Sequence, residues 1–290
     1  MKVVESVKEM QNLAGQFRQA GRTIAFVPTM GYLHRGHLEL LREGRKRGDV
    51  LVLSIYVNPT QFGAGEDLEK YPRNLERDYQ MAEGEGVDVV FCPVGGEMYP
   101  EHYQTFVNVE EVTGNLCGLS REGHFRGVAT VCCKLFNIIN PQVAIFGQKD
   151  FQQLVVIRRM VQDLNMGLSI VGMPTVREAD GLAMSSRNVY LQEEEREAAL
   201  CLSRSLLRAK RLFEGGEREA PQILKAVTEL LTENQLVSLE YAKICDVATL
   251  EDLPRLDRPA VLALAAKVGQ TRLIDNYVFG ETLEITSGSH

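Results

Sequence analysis

The sequence predicts an α/β fold: a parallel sheet with helices on both faces, followed by a smaller C-terminal α+β domain. Three observations predict it. Apolar runs rich in β-branched residues recur along the first part of the chain, stretches with helical spacing separate them, and the order of elements changes after about Pro174. Strands that read as near-continuous apolar runs are buried on both faces, which requires helices on each side of a parallel sheet.

In chain order, Met1 to Met10 alternates charged and apolar types and lacks the apolar core and small-residue cleavage site of a signal peptide. Strands are expected at 23–27, 50–57, 87–92, 143–146 and 168–171, and helices between them at 36–47, 74–83, 128–139 and 151–163. This alternation is Rossmann-like, and ligands of such sheets gather at the carboxyl ends of the strands, beside the switch in strand order. A first domain is expected over residues 1–175. Residues 176–290 should form the second, with helices at 193–213 and 221–231 and strands at 239–245, 260–268 and 272–278. The polar stretch 176–188 joins them, and Ser287-Gly288-Ser289-His290 reads as a polar tail.

Composition narrows the function classes. With 290 residues, 44% of them hydrophobic, the chain can bury one large core or two modest ones, and disorder is excluded. Its net charge of −7, from 39 acidic and 32 basic residues, repels phosphate backbones and membrane surfaces. Neither nucleic acid nor membrane is therefore expected as a partner, and a nucleotide would need a local basic cluster. No stretch approaches the length that spans a bilayer, so a cytoplasmic location is expected. Cys92, Cys117, Cys132, Cys133, Cys201 and Cys245 show no C-x-x-C pair and no His at ligand spacing, which favours reduced core thiols over a metal site.

The segment Pro28-Thr29-Met30-Gly31-Tyr32-Leu33-His34-Arg35-Gly36-His37 leads from a strand into a helix. His34 and His37 are three residues apart, on one helical face, where free backbone N–H groups attract anions. Each imidazole can donate a hydrogen bond to a phosphate oxygen, while Gly31 and Gly36 remove side chains where a nucleotide approaches the backbone. An isolated H-x-x-H is more often a pair of surface histidines, and zinc lacks a third ligand at suitable spacing.

A second strand ends in Gly147-Gln148-Lys149-Asp150, ahead of Gln152 and Gln153. Lys149 can neutralise phosphate charge and Asp150 can bind ribose hydroxyls, or the turn is simply a helix cap. Val176 opens the polar junction that holds Met184-Ser185-Ser186-Arg187, where hydroxyls, backbone N–H groups and one guanidinium can close over a triphosphate. Asn58 and Gln61 follow the second strand as neutral hydrogen-bonders suited to a hydroxylated carboxylate. On local grounds a loop-structural role is equally open to them.

H-x-G-H paired with a downstream M-S-S-R resembles the nucleotidyltransferase and class I synthetase-like superfamily. More specifically, P-T-M-G-Y-L-H-R-G-H, V-N-P-T-Q-F, Y-P-R, G-H-F-R-G-V, F-G-Q-K-D-F-Q-Q and D-G-L-A-M-S-S-R-N resemble, in order, the motifs of the pantothenate synthetase family. The resemblance implies ATP-dependent condensation of pantoate with β-alanine through a pantoyl-adenylate, releasing AMP and pyrophosphate, with Mg²⁺, in a cytoplasmic homodimer. It implies that 30–37, 147–150, Val176 and 184–187 contact ATP, with His37 catalytic, His34, Lys149 and Arg187 assisting, and Gln61 and Gln153 binding pantoate near Asn58. Gln148 stands where many members carry Glu. Three rivals remain open: a nucleotidyltransferase that keeps AMP in its product, a nucleic-acid-binding module, and a non-catalytic nucleotide sensor.

Overall fold

The computed structural model describes residues 1–63 and 65–280, so the polar tail at 287–290 lies outside the described residues. Six strands, β1 (Lys2–Val4), β2 (Ile24–Thr29), β3 (Val50–Ile55), β4 (Val89–Phe91), β5 (Val143–Gly147) and β6 (Ser169–Met173), form one parallel sheet in the order β1-β4-β3-β2-β5-β6. The chain runs outward from β2 through β3 to β4 and then crosses back to β5 on the other flank of β2. Strand order thus reverses between β2 and β5, and a crevice opens at their carboxyl ends.

Alternation along the strands divides the core. Ile24, Phe26, Val50, Val52 and Phe146 pack with α1 (Val7–Gln19), α6 (His124–Ile139) and α7 (Phe151–Asp163), whereas Ala25, Val27, Leu51, Leu53 and Ile145 pack with α2 (Arg35–Arg47) and α3 (Leu75–Gly84). Two short helices, α4 (Gly95–Met98) and α5 (Cys117–Ser120), lie in the connection between β4 and α6.

A second sheet of β7 (Val237–Asp246), β8 (Ala260–Val268) and β9 (Thr271–Phe279) is antiparallel. Its Leu262 and Leu264 bury against α8 (Glu193–Glu214) and α9 (Ala220–Thr232) through Leu202, Leu206, Ile223 and Val227. From the opposite face, Val261 and Ala263 join the cluster formed by α6 and α7. The small sheet is therefore seated on the large one, and β9 comes within reach of the crevice.

Several elements differ from expectation. β1 and α1 were not foreseen: β1 is three residues long, too short for a period to show, and α1 starts where the Ser6 side chain accepts from the Glu9 N–H. The α6 helix begins at His124 rather than 128, because Gly123 at φ 75° makes the left-handed turn before it. The strand expected to reach residue 57 stops at Ile55. Asn58 then caps a 3₁₀ turn, Pro59–Gln61, whose proline has no N–H to extend the ladder.

Candidate active site

A cavity of about 210 Å³ occupies the crevice. Pro28, Thr29, Met30, His34, Gly36, His37, Asn58, Gln61, Gly147, Lys149, Asp150, Gln153, Val176, Met184, Ser185, Ser186 and Arg187 all line it. Gly31 does not. It has φ 83°, and a Cβ there would meet Ile55 Cγ2 at 2.9 Å and Asp78 Oδ2 at 3.1 Å, so this glycine serves the turn itself. The buried Asp78 carboxylate accepts the Tyr32 and Leu33 N–H groups, each at 2.7 Å, and braces that turn from behind.

His34 and His37 begin α2 as a reciprocal cap. The Gly36 N–H donates to His34 Nδ1 at 3.1 Å, and the His34 N–H donates to His37 Nδ1 at 3.3 Å. Because both Nδ1 atoms accept, the proton of each neutral ring sits on Nε2. The rings stack with centroids 3.9 Å apart. Burial, then the nearby Lys149 ammonium, lowers His34 to about 4, and burial, then His34 and Lys149, holds His37 well below the ordinary histidine value. Held that low, both are uncharged single donors at neutral pH. A Cβ at Gly36 would come within 2.9 Å of His34 Cε1, so this glycine lets the first ring fold over the helix start.

The two distant motifs meet here. Ser186 Oγ donates to the Tyr32 carbonyl at 3.3 Å, and the Cβ position of Gly36 lies 3.6 Å from Met184 Cβ. Ser185 Oγ accepts the Arg187 N–H at 3.2 Å and caps the turn Ser186–Tyr190. The Arg187 guanidinium is paired through Nε and Nη2 with both oxygens of Asp67, at 2.8 Å each. Across the crevice, the 3₁₀ turn Gln148–Asp150 presents Lys149 and Asp150. Asp150 makes no side-chain cap to α7, so its carboxylate is not a helix cap.

On the acyl side, Asn58 Nδ2 donates to Gln61 Oε1 at 3.0 Å and to the Gly127 carbonyl at 3.1 Å, while its Oδ1 accepts from Thr60 Oγ1 at 2.9 Å. Both of its amide hydrogens are committed, so Asn58 orients Gln61. Gln61 Nε2 is left with the Met30 sulfur at 3.2 Å, a weak acceptor that a substrate oxygen can replace. Val128, Val131, Cys132 and Leu135 of α6 form an apolar wall opposite.

Sequence reasoning gave no individual role to these wall residues, to Asp67, or to the His124–Arg121–Glu66 cluster, beyond a closing segment at 63–71. His124 Nδ1 donates to the Gln61 carbonyl at 2.7 Å, and Nε2 accepts from Arg121 at 2.9 Å. Burial, then Arg121, lowers His124 to about 4. Arg121 also grips Glu66 at 2.6 and 2.7 Å. The signal available was the G-H-F-R-G-V motif itself, whose histidine opens a helix facing the crevice.

The family model for pantoate-beta-alanine ligase matches residues 2–278. A pantothenate synthetase of Syntrophus aciditrophicus is 65% identical over 285 residues, covering 98% of this chain and 100% of the relative. Among solved structures, pantothenate synthetase from Thermus thermophilus superposes with a TM-score of 0.91 at 44% identity, over 96% of this chain and 99% of that one. A pantoate-beta-alanine ligase from Francisella tularensis, solved in complex with beta-gamma ATP and beta-alanine, superposes with a TM-score of 0.80 at 31% identity, over 96% of this chain and 97% of that one. With a match across nearly its whole length, a shared fold and motifs gathered in one crevice, the chain belongs to the pantoate-beta-alanine ligase family.

Proposed function

We propose that this crevice joins pantoate to β-alanine through a pantoyl-adenylate, with His34, His37, Lys149 and Arg187 supporting the charge that moves. The chain is an ATP-dependent ligase of pantothenate biosynthesis, forming a carbon–nitrogen bond and releasing AMP and pyrophosphate. In the first step the pantoate carboxylate attacks the α-phosphorus. Negative charge grows on pyrophosphate, where the two Nε2–H donors, the Lys149 ammonium and the Arg187 fork are arranged to receive it. The nucleophile is already ionised, so positioning and electrostatics carry the step. Gln61 and Gln153 hold pantoate, with Asn58 fixing Gln61. In the second step the free amine of β-alanine attacks the acyl carbon, the C–N bond forms, the acyl–phosphate bond breaks, and AMP departs. A closing segment at 63–71 or 184–187 would keep water from the mixed anhydride.

In this reading residues 1–175 carry the nucleotide and pantoate contacts made along the parallel sheet, and residues 176–290 deliver the Met184–Arg187 loop. Among the described residues no group of three or more His, Cys, Asp or Glu can hold a metal ion. Mg²⁺ would therefore enter on the phosphate oxygens of ATP, with Asp150 as the carboxylate of the crevice nearest the Lys149 clamp, and would add charge neutralisation there. No helix among the described residues is long and apolar enough to cross a membrane. The cytoplasmic homodimer that the family resemblance implies is part of this proposal. Light scattering of the purified chain tests the dimer.

The observation that carries the proposal is the meeting of the paired imidazoles with the Met184–Arg187 loop over one cavity. The test is exchange of labelled pyrophosphate into ATP with pantoate, Mg²⁺ and no amine. Exchange is expected, and amide product should follow when β-alanine is added. ATP binding without exchange would favour a nucleotide sensor and remove the adenylate step.

A further inference from the structure

Two neighbouring residues of β9 reach both nucleotide motifs. Asp275, buried, takes the Arg177 guanidinium at two points, Nη1 to Oδ2 at 2.7 Å and Nη2 to Oδ1 at 3.0 Å. Arg177 Nη1 also donates to the Gly181 carbonyl at 3.1 Å, and Arg177 bridges Ala183, the residue before Met184. This ties down the base of the Met184–Arg187 loop. Asn276, also buried, donates from Nδ2 to the carbonyls of Gln148 and Lys149, both at 2.9 Å.

Those two carbonyls belong to the peptide units on either side of the Lys149 Cα. Holding both fixes the backbone torsions of Lys149, and with them the direction in which its side chain leaves the turn. The turn has no such brace of its own, since neither Gly147 at its start nor Asp150 at the start of α7 supplies a side-chain cap. Side chains of adjacent strand residues leave on opposite faces, which is how one strand can serve two separate loops.

We infer that Asn276 is a positioning residue for adenylate formation: it sets where the Lys149 ammonium stands, while its neighbour Asp275 sets the opposing loop from the same strand. The inference rests on Lys149 and Arg187 acting on one ATP. A displacement of about 1 Å in a charge-stabilising group is enough to cost about a hundredfold in rate, so the spacing between the two clamps needs a common reference. The strand β9 supplies it, because Asp275 and Asn276 are consecutive. The Asp275 carboxylate is further fixed by the Asn276 N–H at 2.8 Å.

The test is pyrophosphate exchange by Asn276→Asp, which keeps the shape, removes both donors and turns an anion toward two carbonyl oxygens. The exchange rate should fall about tenfold or more and the KM for ATP should rise, while the KM for pantoate stays within about twofold. In a Lys149→Ala background, assayed at higher enzyme concentration, Asn276→Asp should change the residual rate by less than about twofold, since the group it positions is gone. Equal losses in both backgrounds, or an unchanged rate in the single variant, would overturn the inference. Where Asn276→Asp does not fold, Asn276→Ala carries the same comparison, with thermal melting run alongside. If the unaltered chain shows no exchange, it is the adenylate reading that fails, and Asn276 is not the cause.

Discussion

Arg187 meets Asp67 through two bonds of 2.8 Å, so the fork that would grip a triphosphate already holds a carboxylate. A phosphate that takes this same Nε/Nη2 edge displaces Asp67, and the apparent affinity for ATP is then reduced by the fraction of molecules in which the pair is closed. Both partners are partly exposed, at 28% and 25%, which places the pair in the modest range for ion pairs. Asp67→Asn is accordingly expected to lower the KM for ATP about two- to fivefold. Steady-state kinetics at saturating pantoate reads this, and a KM that stays the same or rises would show that Asp67 does not compete. At His37 and Lys149 the expectation runs the other way. Each faces the phosphates, on which further charge grows during reaction, so alanine at either position should cut pyrophosphate exchange by about 10²-fold while circular dichroism stays native. Near-normal exchange in one variant would take that residue out of the mechanism.

Helix α6 shows how an element can govern a side chain it does not carry. A Cβ at Gly127 would lie 2.2 Å from the Thr60 carbonyl oxygen and 2.7 Å from the Gln61 Cα, both backbone atoms. Only glycine allows the helix to lie so close to the Pro59–Gln61 turn, and the same approach lets Asn58 reach the Gly127 carbonyl. Gly127→Ala should push the turn aside and carry Gln61 with it. The KM for pantoate should then rise about tenfold or more while the KM for ATP changes little, and parallel rises in both would point to a general loss of packing. Periodicity made β2 to β6 and the long helices after α1 legible, because buried parallel strands write long apolar runs and α2, α3 and α7 repeat at helical spacing. The strand-end positions of the His34–His37 and Lys149 motifs were legible for the same reason. Apart from Asn58, for which a loop-structural role was open, the braces were not: Asp78 and Asn276 act through contacts between residues far apart in the chain, and a lone Asn or Asp carries no periodic signal. Nor could spacing reveal that both histidines accept at Nδ1, which follows only from how the first turn of α2 closes on itself.

Across the whole molecule, the site is built by burying histidines in the neutral state, and this ties stability to pH. The unfolded chain titrates His34 and His124 near 6.5, whereas in the folded chain burial holds both at about 4, assisted by Lys149 at His34 and by Arg121 at His124. Between those values the unfolded chain binds more protons than the folded one, so stability falls as pH falls. Above the upper value neither state is charged and nothing is lost. Below the lower one both are charged and the loss stops growing. For His124, which is buried, the slope can approach about 1.4 kcal/mol per pH unit. Glu66 acts in a lower window. Burial would raise it, but its hydrogen bonds to Arg121 hold it at about 2, so its contribution is present above the ordinary value of 4.5 and is lost as pH falls toward 2. Denaturant midpoints measured from about pH 7 to about pH 4.5 should therefore decline steadily, before the Glu66 pair begins to open. His124→Asn removes one of the titrating rings and should give a shallower decline over the same range, whatever its stability at neutral pH. Identical slopes for the two proteins would mean that His124 is not a source of the acid sensitivity.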